Sequence, residues 1–195
     1  TKPAPDFSIT ALDGVTVGVL ATGLAGDPEN AGVLERSTSA LLALGARLRP
    51  AELTDPTGTV AALMVVVGGG LRFQTMAYVT ARHPDLATPE DLAAWNAADP
   101  ATRAPFGTGV LEALAQMSAP LTASDLADAA TDLDTAATAA LERAFAATDA
   151  EVLLSTSSLH ADFYATAGWP AVTVPLGLGP RGRPIGCLLY TSRRG

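Results

Sequence analysis

Cysteine and histidine are scarce in this sequence of 195 residues. Cys187 is the only cysteine, so neither a disulfide framework nor a thiolate metal site is expected. The two histidines, His83 and His160, lie far apart, and no set of His and carboxylate residues has the spacing of metal ligands. The sequence therefore predicts no metal centre.

Basic residues are also few. The chain has 12 Lys and Arg against 20 Asp and Glu, a formal net charge of -8. Since nucleic-acid binding depends on Lys and Arg contacts to phosphate, no nucleic-acid partner is expected. No uninterrupted run of about 18 apolar residues is present, so no membrane span is predicted. The first residues, TKPAPDF, lack the apolar core of a secretory signal, and the expected location is cytoplasmic.

What the chain has in quantity is apolar residues, 48% against 16% charged ones, which is enough to bury the core of one domain. Apolar residues at helical spacing follow the helix-start signals at Asp27-Pro28, at Thr88-Pro89-Glu90-Asp91 and at Thr122. Short apolar segments predict strands at residues 15–20, 151–155, 171–175 and 184–190, and residues 46–53 are a further strand candidate. This alternation predicts an α/β fold with a sheet that is buried, at least in part, on both faces.

The segment VVVGGGLRF, residues 65–73, is the strongest local motif. Gly68 and Gly70 match the first two glycines of a dinucleotide-binding fingerprint, but Phe73 stands at the third position. The Gly-Lys-Ser/Thr of a phosphate-binding loop is missing as well. A non-catalytic α/β module that binds a nucleotide or another ligand through these glycines is kept as an alternative.

Residues 155–162, STSSLHAD, contain the three residue types of a serine hydrolase triad. Triad members come from separate elements and meet in space, and eight consecutive residues cannot easily aim three side chains at one another. The G-x-S-x-G turn that exposes a nucleophilic serine is absent too. The segment is therefore interpreted as a polar loop.

The last third of the chain resembles the amidase signature family. Residues 167–175, AGWPAVTVP, match the run aGxPaitvPxG of that family, and residues 182–186, GRPIG, match its GxPvG strand. Weaker matches occur upstream in the family's order, at residues 14–20, 88–96 (TPEDLAAWN), 105–107 (PFG) and 149–156 (DAEVLLST). The resemblance covers nearly the whole chain. It implies a mixed-sheet α/β/α sandwich, with residues 1–195 forming a single incomplete amidase domain, its carboxyl-terminal part.

The resemblance implies a hydrolase that converts a small-molecule carboxamide to a carboxylate and ammonia or an amine, without a cofactor. Family members use a Ser, cis-Ser, Lys triad from the amino-terminal half of their domain, in which the lysine takes a proton through the bridging serine. The only lysine here is Lys2, and no Gly-Ser-Ser loop is present. No catalytic residue is therefore assigned. The chain is expected to be inactive alone and to need the missing amino-terminal part of the domain as its partner.

Within the chain, the resemblance points to the loop that follows the strand at residues 151–155. It implies that Ser155, Thr156, Ser157 and Ser158 bind substrate as one wall of the acyl pocket, although Ser155 stands where the family usually has proline. Residues 61–79 fall in a helical region of the family. Because glycine weakens helices, residues 68–70 predict a weakened or broken helix there.

Two further interpretations stay open. The parent protein is a free-standing amidase or, as an alternative, an amidotransferase subunit. After Gly186 the family continues with an apolar strand and a further helix, whereas CLLYTSRRG follows here. We therefore hypothesise that residues 187–195 are not native family sequence. An incomplete domain also predicts poor solubility or self-association, because sheet edge and apolar surface lack their cover.

Overall fold

The computed structural model describes residues 11–54, 58–118, 121–179 and 182–191. These residues form two compact units. The first contains the described residues before position 56 and after position 136, and the second contains those between. Lys2 and residues 192–195, which the sequence analysis singled out, lie outside the described residues.

Helices and strands alternate along the first part of the chain, helices fill the middle, and three strands lie in the last part. In chain order the elements are β1 (Thr16–Leu20), α1 (Pro28–Ala43), β2 (Arg47–Ala51), α2 (Thr59–Gly70), a π-helical turn (Leu71–Thr75), α3 (Met76–Thr80), α4 (Pro89–Ala97), α5 (Pro100–Arg103), α6 (Gly109–Ser118), α7 (Ala123–Thr148), β3 (Val152–Thr156), α8 (Ala161–Tyr164), β4 (Ala171–Leu178) and β5 (Pro184–Tyr190). All five strands that the sequence predicts are present.

The first unit is built on a mixed five-stranded sheet in the order β2-β1-β3-β5-β4. β1 pairs in parallel with β2 and with β3, whereas β5 runs antiparallel to both β3 and β4. Val17 of β1 lies opposite Leu48 on one side and Val152 on the other, and Leu153 of β3 lies opposite Tyr190. The predicted α/β fold with a mixed sheet is confirmed.

Two apolar cores cover the two faces of this sheet. Successive side chains of a strand point to opposite faces, so the fully buried neighbours Leu153 and Leu154 belong to different cores. Leu154 packs in a cluster with Val33 of α1, whereas Leu153 packs in a cluster with Leu141 of α7 and Phe163 of α8. The first unit therefore has helices on both faces of its sheet, as the α/β/α prediction requires.

Helix α1 begins as its sequence predicts. Asp27 is the N-cap, and its side chain accepts a hydrogen bond from the backbone N–H of Asn30 at 3.0 Å. Pro28 occupies the first helical turn, where its missing N–H costs nothing. After the helix, Gly45 has φ +91°, a conformation that glycine adopts without strain.

The second unit consists of helices. Its apolar run Thr59–Thr80 joins α2, the π-helical turn and α3, and by length and composition it would suffice to cross a membrane: 22 residues, mean hydropathy 1.5, with 17% of its apolar window buried. No span was predicted from the sequence, because the run of uninterrupted apolar residues is shorter than about 18. Mean hydropathy stays high in spite of the polar residues Arg72 and Gln74, which interrupt the apolar run. An apolar helix that packs against other parts of a protein has an equally high mean hydropathy.

The glycine triplet lies inside helix α2 and not in a loop. A Cβ added at Gly69 would come within 2.6 Å of Leu126 Cδ1, so the missing side chain lets Leu126 of α7 pack against the helix backbone. The helix continues through the triplet and changes to π-helical geometry at Leu71. The helix is therefore not broken at the triplet; only its geometry changes, to a π-helical turn that begins directly after it, and the glycines form no phosphate-binding loop.

Helix α4 has the predicted start. Thr88 Oγ1 accepts from the Asp91 backbone N–H at 3.1 Å, and Asp91 Oδ2 accepts from the Thr88 backbone N–H at 3.0 Å. This reciprocal capping box satisfies two N–H groups at the helix start.

The segment that follows Gly186 takes part in the sheet. Cys187, Leu188 and Leu189 pair with both β3 and β4, and Tyr190 is fully buried. Whether residues 187–195 are native, and whether residues 1–195 form one incomplete amidase domain, stay predictions.

Candidate functional site at the carboxyl ends of the parallel strands

The sheet order creates a topological switch point between β1 and β3. From β1 the chain passes through α1 to β2 on one side, while β3 lies on the other side of β1. Loops that leave two parallel strands in opposite directions open a crevice at their carboxyl ends, where α/β proteins commonly bind ligands. A ligand site in the first unit is therefore expected in this crevice.

A cavity of about 230 Å³ lies at this place. Three segments line it: the start of α1, the residue after β3, and the first residues of β5 with the residue that precedes them. The lining residues are Asp27, Glu29, Asn30, Ser157, Arg183, Pro184, Ile185 and Gly186. β5 is antiparallel to β3. The first residues of β5 therefore lie at the same end of the sheet as the carboxyl end of β3.

The cavity is polar, with two carboxylates and one guanidinium among its lining groups. Arg183 Nη2 lies 2.6 Å from Glu29 Oε2, which ties the β4–β5 turn to α1. Asp27 accepts hydrogen bonds from the backbone N–H of Asn30 at 3.0 Å and from its side-chain Nδ2 at 2.7 Å. These bonds, the backbone one first, hold the pKa of Asp27 below its ordinary value of 3.8. Asp27 is therefore an anion at neutral pH.

Ser157 is the one predicted site residue among the groups that line this cavity. It has φ 51°, in the left-handed region, and its backbone N–H donates to the carbonyl of Gly186 at 3.1 Å. That bond extends the β3–β5 pairing by one residue and holds Ser157 directly beyond the carboxyl end of β3. Ser158, in the same loop, is exposed to solvent.

Ser155 and Thr156, the other two predicted site residues, are 1% and 0% exposed within the first unit. Thr156 Oγ1 has no hydrogen-bond partner among the described residues. The structure therefore separates the four predicted residues into a buried pair on β3 and an exposed pair in the loop. Their assignment to substrate binding stays a prediction.

Ser155 and His160 form a buried hydrogen bond. Ser155 Oγ lies 2.7 Å from His160 Nδ1, and His160 is 6% exposed. The interpretation of residues 155–162 as an ordinary polar loop was therefore incomplete, because the turn at 157–160 brings two of the three triad-type side chains together. Sequence spacing alone does not reveal this, since the contact depends on the tight turn.

Burial lowers the pKa of His160 below its ordinary value of 6.5, and the charge of Asp162 opposes that shift. His160 is therefore neutral at pH 7. Because both side chains are buried, a substrate in solvent cannot contact them. Their hydrogen bond instead anchors the loop that carries Ser157.

Asp27, Glu29 and Arg183 were missed as site residues. Asp27 was interpreted only as part of a helix start, which it is, and Arg183 only as part of the segment GRPIG that resembles a family strand. A usable signal was the position of Asp27 after a predicted parallel strand, since such loops frequently carry site residues. Within the described ranges no group of three or more His, Cys, Asp or Glu side chains is placed to hold a metal ion.

Solved structures that are similar to this chain include several amidases. The native peptide amidase from Stenotrophomonas maltophilia matches with a TM-score of 0.69 and 24% identity, over 94% of this chain and 40% of that chain. An amidase family protein from Bacillus anthracis matches with a TM-score of 0.70 and 19% identity, over 95% of this chain and 36% of that chain. A bacterial aryl acylamidase of the amidase signature family matches with a TM-score of 0.62 and 14% identity, over 94% and 41%.

Neither a protein-family model nor a curated protein matches the sequence. The chain spans about two fifths of the length of the solved structures that it matches. At these identities the likeness is one of fold. The α/β fold of this chain, with its mixed five-stranded sheet, matches that of amidase signature enzymes.

Proposed function

We propose that this chain is the carboxyl-terminal part of an amidase that hydrolyses a carboxamide to a carboxylate and ammonia or an amine. The observation that carries the proposal is the match of 94% of the chain to the peptide amidase fold at a TM-score of 0.71. A fold by itself does not determine function, because one fold can host many chemistries. The cavity at the switch point supplies the second support.

The polar groups of this cavity suit an amide. An amide has N–H donors, which the carboxylates of Asp27 and Glu29 accept, and a carbonyl oxygen, which accepts from the Ser157 hydroxyl or the Arg183 guanidinium. In this proposal Ser157 touches the substrate, Ser158 lies beside it, and Ser155 and Thr156 support the loop from the buried strand end.

The catalytic groups are proposed to come from outside this chain. Amide hydrolysis by the Ser, cis-Ser, Lys mechanism needs a lysine in contact with the bridging serine. The only lysine of the sequence is Lys2. The amino-terminal part of an amidase domain is therefore proposed as the partner that completes the site.

The test is to read the DNA upstream of the coding region and to express the extended reading frame. The purified longer chain is assayed for ammonia release from a peptide amide and for aniline release from an acyl anilide. We expect hydrolysis of at least one of them, and we expect it to vanish when the nucleophilic serine of the upstream Gly-Ser-Ser loop is replaced by alanine. Hydrolysis that survives this replacement would overturn the assigned mechanism.

The other interpretations predict different results. An amidotransferase subunit releases ammonia from glutamine and passes it to an acceptor. A nucleotide-binding module shows a thermal shift with ATP or NAD, together with no hydrolysis of any amide. The second outcome would overturn the amidase proposal.

A further inference from the structure

The polar cavity beside Ser157 carries one negative charge that no described residue neutralises in an ion pair. Glu29 and Arg183, which both line it, lie 2.6 Å apart at Oε2 and Nη2, so their charges cancel. Asp27 forms no ion pair among the described residues, and its short hydrogen bonds come from the neutral backbone N–H and side-chain amide of Asn30. Arg183 is the smallest of the causes that lower the pKa of Asp27. The cavity therefore favours a cation over an anion.

The size of the cavity limits the ligand that it holds. Its volume is about 230 Å³, whereas pockets that hold drug-sized ligands usually measure about 300–1,000 Å³. The cavity therefore holds a small ligand or one end of a larger one. Beside the charged groups its wall includes Pro184 and Ile185, which offer apolar surface to methylene groups. A cationic group on a short methylene chain suits this combination.

A buried hydroxyl group without a partner faces the same side of the sheet. Leu154 of β3 packs in a cluster with Val33 of α1, and since side chains alternate along a strand, Thr156 faces the side that α1 covers. The first residues of α1 line the cavity, as does Ser157, which directly follows Thr156. The Thr156 side chain is 0% exposed, and its Oγ1 has no hydrogen-bond partner among the described residues. Buried polar atoms are nearly always hydrogen-bonded, so this oxygen is an acceptor for a donor that enters from the cavity.

We propose that the substrate of this amidase is a carboxamide that carries an ammonium group, and that Asp27 binds this ammonium. The inference rests on the proposed function and names its substrate class. A charge-assisted hydrogen bond is roughly twice as strong as one between neutral groups, so an ammonium is preferred to a neutral N–H donor at Asp27. The methylene groups behind the ammonium pack on Ile185, and the Thr156 hydroxyl accepts a further hydrogen bond. A substrate with a carboxylate in this place is repelled.

The test measures binding to this chain, which needs no catalysis. Three amides of equal length serve as probes: 5-aminopentanamide is a cation, hexanamide has a methyl group in place of the ammonium, and glutaramate is an anion. Each is titrated into the isotope-labelled chain, and the backbone amide signals of Asn30 and Ser157 are followed by NMR. We expect 5-aminopentanamide to bind roughly 10-fold more tightly than hexanamide, and glutaramate to bind more weakly than either. Because Asp27 is partly exposed, raising NaCl to about 0.5 M should reduce the difference.

Three variants assign the preference for the cation to Asp27. Asp27→Asn removes the charge but keeps the start of α1, because asparagine is as good an N-cap as aspartate, and it should bring the two affinities to a ratio of about 1. Arg183→Gln leaves Glu29 without its ion pair and should raise the ratio roughly 3-fold. Glu142→Gln is the matched control, since it makes the same change of charge at an exposed position of α7, on the opposite face of the sheet, and it should leave the ratio unchanged. Circular dichroism of each variant checks that it is folded.

Several outcomes overturn the inference. They are no binding or equal binding of the three probes, a preference for the cation that survives Asp27→Asn, and a preference that Glu142→Gln abolishes as well, which would reflect only the net charge of the chain. The proposed function fails in a different way, because the longer chain is assayed separately for ammonia release. Cation-selective binding that depends on Asp27, with no hydrolysis of any amide by the longer chain, would support the binding of the ammonium and overturn the amidase. Hydrolysis of all three probes with equal kcat/KM would support the amidase and overturn the selection for charge.

Discussion

Ser155 Oγ and His160 Nδ1 lie 2.7 Å apart, with both side chains buried. The bond joins the last turn before α8 to the end of β3, and Ser157 lies between the two residues. The loop that lines the polar cavity is thus held from beneath by a neutral serine–histidine contact. Its stability and its response to pH follow from that contact.

Replacing Ser155 by alanine should destabilise the first unit. The change leaves His160 Nδ1 buried without its partner, which costs about 1–3 kcal/mol. Ser158→Ala is the matched control, because Ser158 is exposed, and its effect should stay within about 0.5 kcal/mol. Urea unfolding followed by circular dichroism measures both. A Ser155→Ala variant as stable as the parent would contradict the structural role of the bond.

Stability should fall as the pH drops below about 6.5. Burial lowers the pKa of His160 in the folded chain below the 6.5 of an unperturbed histidine, so the unfolded chain binds its proton first. The stabilisation is fully present above pH 6.5 and is lost as the pH falls through the folded-state pKa. Unfolding measured at pH 7.5 and at lower pH values shows the trend.

A pair of histidine variants isolates the contribution of His160 from that of the carboxylates. His83 is exposed, so His83→Gln should keep the loss of stability at acid pH. His160→Phe should reduce that loss, whatever its effect on stability at pH 7.5. Equal pH profiles for the two variants would show that His160 is not the titrating group.

Gly69→Ala should stabilise helix α2 less than Gly70→Ala does. The Cβ added at Gly69 would lie 2.6 Å from Leu126 Cδ1, so this half-buried side chain has to shift, which offsets part of the roughly 1 kcal/mol that alanine gains over glycine in a helix. At Gly70 the nearest atom is Gln74 Oε1 at 3.8 Å, so Gly70→Ala should stabilise by up to about 1 kcal/mol. Thermal unfolding of both variants tests the contrast, and equal effects would show that Leu126 does not pack against the helix backbone at Gly69.

Ser157→Gly separates the role of the hydroxyl from that of the backbone. Ser157 has φ 51°, which glycine adopts without strain, so the variant should be as stable as the parent or more stable. In the extended amidase the same variant should raise KM, because the proposed contact to the substrate carbonyl is lost. An unchanged KM, with the fold intact, would remove Ser157 from the substrate site.

Tyr190 offers a test of the segment after Gly186. Its side chain is fully buried and stacks on Tyr164 with ring centroids 5.2 Å apart. Tyr190→Ala should cost about 3–5 kcal/mol, as for other large aromatic truncations in a core. The hydroxyl has no hydrogen-bond partner among the described residues, so Tyr190→Phe should be neutral or stabilising. A mild Tyr190→Ala would indicate that this end is not part of the folded core.

The sequence by itself determined the elements whose signals act over a few residues. Short segments of strand-like composition predicted the five strands, Asp27-Pro28 predicted the start of α1, and Thr88 with Asp91 predicted the start of α4. These signals work because a cap or a strand propensity depends on neighbouring backbone groups. The ordered family resemblance added the mixed sheet, which the structure confirms.

Only the tertiary structure decided which distant residues meet. Asp27, Ser157 and Arg183 lie far apart in sequence, and they line one cavity because β1 and β3 are parallel neighbours while β5 returns antiparallel to β3. The close approach of Leu126 to Gly69 and the open edge of β4 likewise depend on how the elements pack and pair. Local propensities do not determine strand order or helix contacts. Strand order and helix contacts arise when apolar faces are buried, and several topologies could bury the same faces.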